Sequence, residues 1–146
     1  MKTGLLHSHS LLAWVLMGLA LVAIVTSLIG WFGKKPFTST NSKIALFLTI
    51  TADIQLLIGL VMYFATSEIT KMAFQDFGAA MKTPELRFYA VEHILIMIIA
   101  IALLHIGKVK AKKAATDIQK HKISAIFYTI ATVLLLSRVP WDRLIG

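Results

Sequence analysis

The stretch Val91–Lys108, VEHILIMIIAIALLHIGK, places a histidine near each end of an otherwise apolar run. A helix needs about 20 predominantly apolar residues to cross a bilayer. The run has no period-two alternation, which argues against a barrel strand and for a helix. Aliphatic side chains need no partner in lipid, but imidazole does. His93 and His105 therefore raise the question of what they meet.

The rest of the chain agrees with a lipid setting. Of its 146 residues, 58% are hydrophobic, and the mean hydropathy is +0.78. A water-soluble domain of this length cannot bury that much apolar surface. There are no cysteines, which excludes disulfides, thiolate metal sites and covalent haem attachment. Four apolar spans stand out, at about 8–32, 43–66, 86–107 and 121–138. The first is long enough to span and reads as a retained helix rather than a cleaved leader. Backbone groups in lipid must be satisfied within the segment, so each span is expected to be helical. Short connections then give an integral membrane, all-α, four-helix bundle of up-down-up-down topology, one domain over residues 1–146.

The formal net charge is +8, and its distribution sets an expected topology. Lys34, Lys35, Lys43, Lys108, Lys110, Lys112, Lys113, Lys120 and Lys122 share one end with a single acid, Asp117. At the other end, Lys2, Lys71, Lys82, Arg87, Arg138 and Arg143 are nearly balanced by Glu68, Asp76, Glu85, Glu92 and Asp142. The lysine-rich end is expected on the cytoplasmic side of a bacterial inner membrane, with both termini on the periplasmic side. No aromatic residues interleave with the Lys108–Lys122 cluster, so it reads as an anchor beside anionic lipid and not as a nucleic-acid site.

Taking Lys34, Lys43, Lys108 and Lys122 as zeros gives a depth scale at 1.5 Å per residue. Trp14, Tyr63, Tyr89 and Trp141 then fall near about 30 Å, where an outer aromatic belt belongs. His93 falls at about 22 Å, His105 at about 5 Å and His121 near zero. His7 and His9 fall at roughly 37–40 Å, so His9 is about 15 Å too high to meet His93 in a straight helix. His93 and His105 lie about 18 Å apart along one helix and belong to different sites. His105 with His121 is the better-matched internal pair. Met17 and Met62 lie nearer His93 and are thioether candidates, although methionine in such helices is usually packing.

Asp53 is the costliest residue, about 15 Å deep, with no lysine or arginine at its level. Its expected partners are Thr26, Ser27 or Thr51, unless it carries a proton or meets another subunit. Glu92 and Arg138 share a depth of about 24 Å and are expected to pair, with a haem propionate as Arg138's other possible partner. His7-Ser8-His9-Ser10 is either a helix cap or a weak copper or zinc signal. Between the second and third spans, Ile69, Met72, Ala73, Phe77 and Ala80 recur at helical spacing. They predict a short amphipathic helix on the outer surface over 67–84.

Several histidines near helix ends in a cysteine-free bundle suit non-covalent haem b held by axial imidazoles. The chain resembles a group of small bacterial four-span proteins labelled cytochrome b-like. The residues that carry the likeness are Leu6-His7-Ser8-His9-Ser10 with Trp14, Ile54-Gln55, Val91-Glu92-His93, Lys120-His121-Lys122 and Val139-Pro140-Trp141. Ala13 stands where such proteins often have a basic residue. The resemblance implies haem and electron transfer, with His7, His9 and His93 nominated for the outer face and His105 and His121 for the inner. The expected function is a b-type haem electron carrier with one or two haems, as a subunit of a respiratory complex. Its rival is a cofactor-free accessory subunit of a larger membrane assembly. A proton-coupled carrier would rest on Asp53 alone.

Overall fold

The computed structural model of the chain describes residues 2–145. Those residues are helical almost throughout, with no strand among them. Four long helices, α1 (Lys2–Phe32), α2 (Ser39–Val61), α6 (His93–Lys113) and α7 (Asp117–Ser137), share one core. Between α2 and α6 lie a π-helical turn (Met62–Thr66), α3 (Glu68–Gln75), α4 (Phe77–Met81), α5 (Pro84–Arg87) and a second π-helical turn (Phe88–Glu92). The short α8 (Trp141–Ile145) closes the chain.

Three helical stretches are long and apolar enough to cross a membrane: Thr3–Phe32, Ser39–Ala65 and Pro84–Lys113. The fourth long helix, α7, opens with Asp117, Lys120, His121 and Lys122, which dilute its apolar content. α7 packs closely against both α6 and α1, α1 packs against α2, and the α2–α6 seam is sparser.

The core is built from small residues. Ala20, Ala23, Ala45, Ala52, Ala100 and Ala131 are buried together with Leu48, Leu104 and Tyr128. Large aliphatics and aromatics such as Leu11, Leu21, Leu57, Phe64 and Val133 face outward. This reverses the distribution of a water-soluble bundle and matches helices that approach closely through small residues in lipid. One close approach is at Gly107, where an added Cβ would overlap Phe127 of α7.

The helix ends differ from the sequence-based expectation in ways that matter for the site. α1 begins at Lys2, so His7 to Ser10 lie inside the helix, and Ser8 and Ser10 are not caps. α2 starts four residues before Lys43: the Asn41 side chain accepts from the Thr38 N–H at 2.9 Å. α6 runs past Lys108 to Lys113. Its last carbonyls are capped by Lys120, whose Nζ donates to the Ala111 and Lys112 oxygens at 3.3 and 2.7 Å. Basic side chains there also complement the negative end of the helix dipole.

The turn after α1 closes with Gly33 N–H on the Ile29 oxygen at 2.8 Å and Lys35 N–H on the Gly30 oxygen at 3.0 Å. Lys34, not the neighbouring glycine, takes the left-handed conformation, with φ 52°.

The single surface helix expected over 67–84 is two helices. Asp76 interrupts it by acting as the N-cap of α4, its carboxylate accepting from Ala79 N–H at 3.1 Å. Ala73 and Ala80 are buried with Ala90, whereas Met72 and Phe77 are exposed.

Candidate functional site

Near the end that carries both termini, the four long helices enclose a cavity of about 190 Å³. His9 of α1 and His93 of α6 line it, together with Met17, Gln55, Gly59 and Met97. The His9 and His93 rings are 6.4 Å apart between centroids and inclined at 73°. His93 Nδ1–H donates to the Arg138 carbonyl oxygen at 2.7 Å. That bond fixes the tautomer and leaves Nε2 without the proton. Phe88 stacks on the same ring at 5.9 Å and holds its orientation.

His9 is held differently. Gln55 Nε2 donates to the His9 backbone oxygen at 2.8 Å. Gly59 leaves room for the imidazole, because a Cβ there would come within 3.3 Å of His9 Cε1. Two buried polar atoms at the cavity, His9 Nδ1 and Gln55 Oε1, have no partner. Such orphans in a folded interior call for a ligand or water.

The wall of the cavity includes both π-helical turns, through Met62, Tyr63 and Tyr89. Tyr63 Oη donates to the Ala90 carbonyl oxygen at 2.5 Å and ties the two turns together. π turns leave carbonyls without their usual helical donors and recur at functional sites. At the mouth, Arg143 lies over the Tyr89 ring at 4.6 Å. Among the described residues Arg143 has no carboxylate partner. Arg138, by contrast, meets Glu92 at 3.5 Å, and Glu92 also holds Arg87 at 2.7 Å. The expected Glu92–Arg138 pair is therefore present, with Arg87 as an additional member.

The histidines that sequence paired as an inner site are not together. His105 Nε2 donates to Asp53 Oδ1 at 2.6 Å across α2 and α6. Asp53 thus meets a histidine and not Thr26, Ser27 or Thr51. His121 is buried at the other end of the interior, its ring against Gly30 and Phe37, with Nε2–H on the Pro36 oxygen at 3.3 Å. It is a packed core residue. His7 is exposed and does not line the cavity.

An error of the depth scale on α6 explains why His93 meets His9. Moving the α6 zero from Lys108 to its true end at Lys113 adds about 7 Å to every depth on that helix. His93 rises to about 30 Å, toward the level of His9. Lysines with long apolar stems can ride on a helix well before its end.

Among the described residues, no group of three or more His, Asp or Glu side chains converges to hold a bare metal ion. Comparison of the chain with known families, curated proteins and solved structures gave no match.

Proposed function

We propose that the chain is an integral membrane four-helix bundle that holds haem b between His9 and His93 and passes electrons as a subunit of a respiratory assembly. The lysine-rich end faces the cytoplasm and both termini face the periplasm of a bacterial inner membrane. The inside-out distribution of large and small apolar residues and the lysine asymmetry support the membrane reading.

The observation that carries the haem reading is the 6.4 Å separation of the two facing rings. A metal about 2 Å from one nitrogen of each ring would separate the centroids by roughly 6 Å. The second-sphere arrangement agrees, since an axial imidazole commonly donates its other N–H to a carbonyl. Here that carbonyl is Arg138's, which would leave His93 Nε2 to meet the iron. His9, whose Nδ1 has no partner, would be the residue of α1 to hold the iron. The cavity is smaller than the roughly 300–1,000 Å³ of ordinary ligand sites, so a tetrapyrrole would fill it and project through the mouth. Arg143 stands at that mouth and suits a propionate better than Arg138, which is engaged by Glu92.

When bound, haem supplies a one-electron couple at its iron. The residues orient the group, exclude water from it and neutralise its acidic edge. One haem is the reading supported, because His105 and His121 are apart. The resemblance to four-span proteins labelled cytochrome b-like points the same way.

Protein purified from haem-sufficient cells is expected to show a Soret band and a pyridine haemochrome. A colourless, folded preparation overturns the proposal and leaves the cofactor-free accessory subunit in its place.

A further inference from the structure

Asp53 and His105 form a polar pair where a membrane helix should have none. Asp53 sits near the middle of the apolar stretch Ser39–Ala65. Its hydrogen bond with His105 lies on the outside of the seam between α2 and α6, with side chains 53% and 44% exposed. Around the pair, Ile50, Ile54, Ala102 and Ile106 also face outward. Left against acyl chains, an acid at mid-bilayer is costly, and such residues normally face protein or a cavity. This pair faces neither within the chain.

We infer that a second copy of this chain covers the Asp53–His105 seam, forming a twofold dimer about an axis along the membrane normal. The pair is its own complement. The bond from Nε2 to Oδ1 leaves one atom on each residue, Asp53 Oδ2 and His105 Nδ1. In the neutral dyad these two atoms carry one proton between them. Whichever atom holds it, Oδ2 of one copy and Nδ1 of the other make one hydrogen bond across the axis. Twofold symmetry makes that bond twice, sets α2 of each copy opposite α6 of its partner, and keeps both dyads at one depth. All four side chains become satisfied with no unpaired charge. Ala102, one turn before His105 on the same face of α6, lets the backbones approach. The seam stays clear of His9 and His93, so the inference does not depend on the haem reading.

The absence of cysteine allows a direct test in native membranes. Single Ala102→Cys protein is treated with a short bismaleimide beside a control, Val133→Cys, on the outward face of α7. Ala102→Cys is expected to give a covalent dimer at twice the 16.1 kDa chain mass, at least fivefold above the control. Adding Asp53→Ala and His105→Ala together removes both partners without leaving an orphan, and should reduce the dimer band at least fivefold. Exchanging the two residues, Asp53→His with His105→Asp, should restore it.

A yield for Ala102→Cys equal to that of the control, or an adduct with a different polypeptide, overturns the inference. An undiminished dimer in the double alanine variant also overturns it. If that variant fails to fold, the Ala102→Cys comparison decides alone, because it keeps the dyad intact.

Discussion

At the scale of the residue, chemistry and packing separate the five histidines. His9 and His93 face one another across a cavity, His105 binds a carboxylate, His121 is packed in the interior and His7 is exposed. His9→Ala and His93→Ala are each expected to abolish the haem spectrum, whereas His105→Ala retains it. Retention of haem by either of the first two variants, read per mole of folded protein, would remove that residue as a ligand. His121 has a different role. Its ring occupies the space where a side chain at Gly30 would be. Gly30→Ala should therefore destabilise the fold by about 1–3 kcal/mol through overpacking, read as a lowered unfolding midpoint in detergent. His93 was legible in the sequence as an imidazole in an apolar helix. Its partner was not, because a small error in one helix end shifted His93 by more than a turn. The orphaned Gln55 oxygen had no sequence signal beyond a glutamine in an apolar run.

At the scale of the element, helix existence could be read and helix ends could not. Apolar runs longer than a bilayer is thick have few other outcomes. An end depends on which polar group satisfies the last backbone donors or acceptors. Asn41 and Lys120 do this for α2 and α6 through side-chain hydrogen bonds that hydropathy does not report. The π-helical turns were also invisible, since nothing in MYFAT or FYAVE departs from an ordinary helical sequence. Two predictions belong here. Lys34 holds a left-handed conformation that is unfavourable for an L side chain by about 1–2 kcal/mol. Lys34→Gly should relieve most of that, and thermal unfolding should shift upward by a corresponding amount. Tyr63→Phe removes the bond between the two π turns and leaves the Ala90 carbonyl short of a donor. A loss of about 1–3 kcal/mol is expected, and hydrogen exchange should accelerate in 62–66 and 88–92. Exchange unchanged in both turns would show that the bond does not hold them.

At the scale of the whole molecule, the lysine asymmetry and the placement of α3 and α4 lead to one topological prediction. Lys34, Lys35, Lys43 and the lysines at the α6–α7 connection gather at one end. α3, α4 and α8 lie at the other, where α3 and α8 help line the cavity. Orientation by basic loops predicts the lysine-rich end in the cytoplasm. Asp117 is the only acid there, so no counter-signal opposes it. Three single-cysteine variants, Lys35→Cys, Lys112→Cys and Lys71→Cys, place a unique thiol at exposed positions of each end. A membrane-impermeant maleimide applied to intact spheroplasts should label only Lys71→Cys, and all three after lysis. Removing one lysine from a cluster of nine does not reverse the asymmetry, so the variants report the native orientation. Labelling of Lys35→Cys and Lys112→Cys in intact cells, with Lys71→Cys protected, would invert the molecule and put the cavity mouth at the cytoplasmic surface. Labelling of Lys35→Cys with Lys112→Cys protected would mean that α2 or α6 does not cross the bilayer. The two failures are distinguishable, because the first keeps positions 35 and 112 on one side and the second separates them.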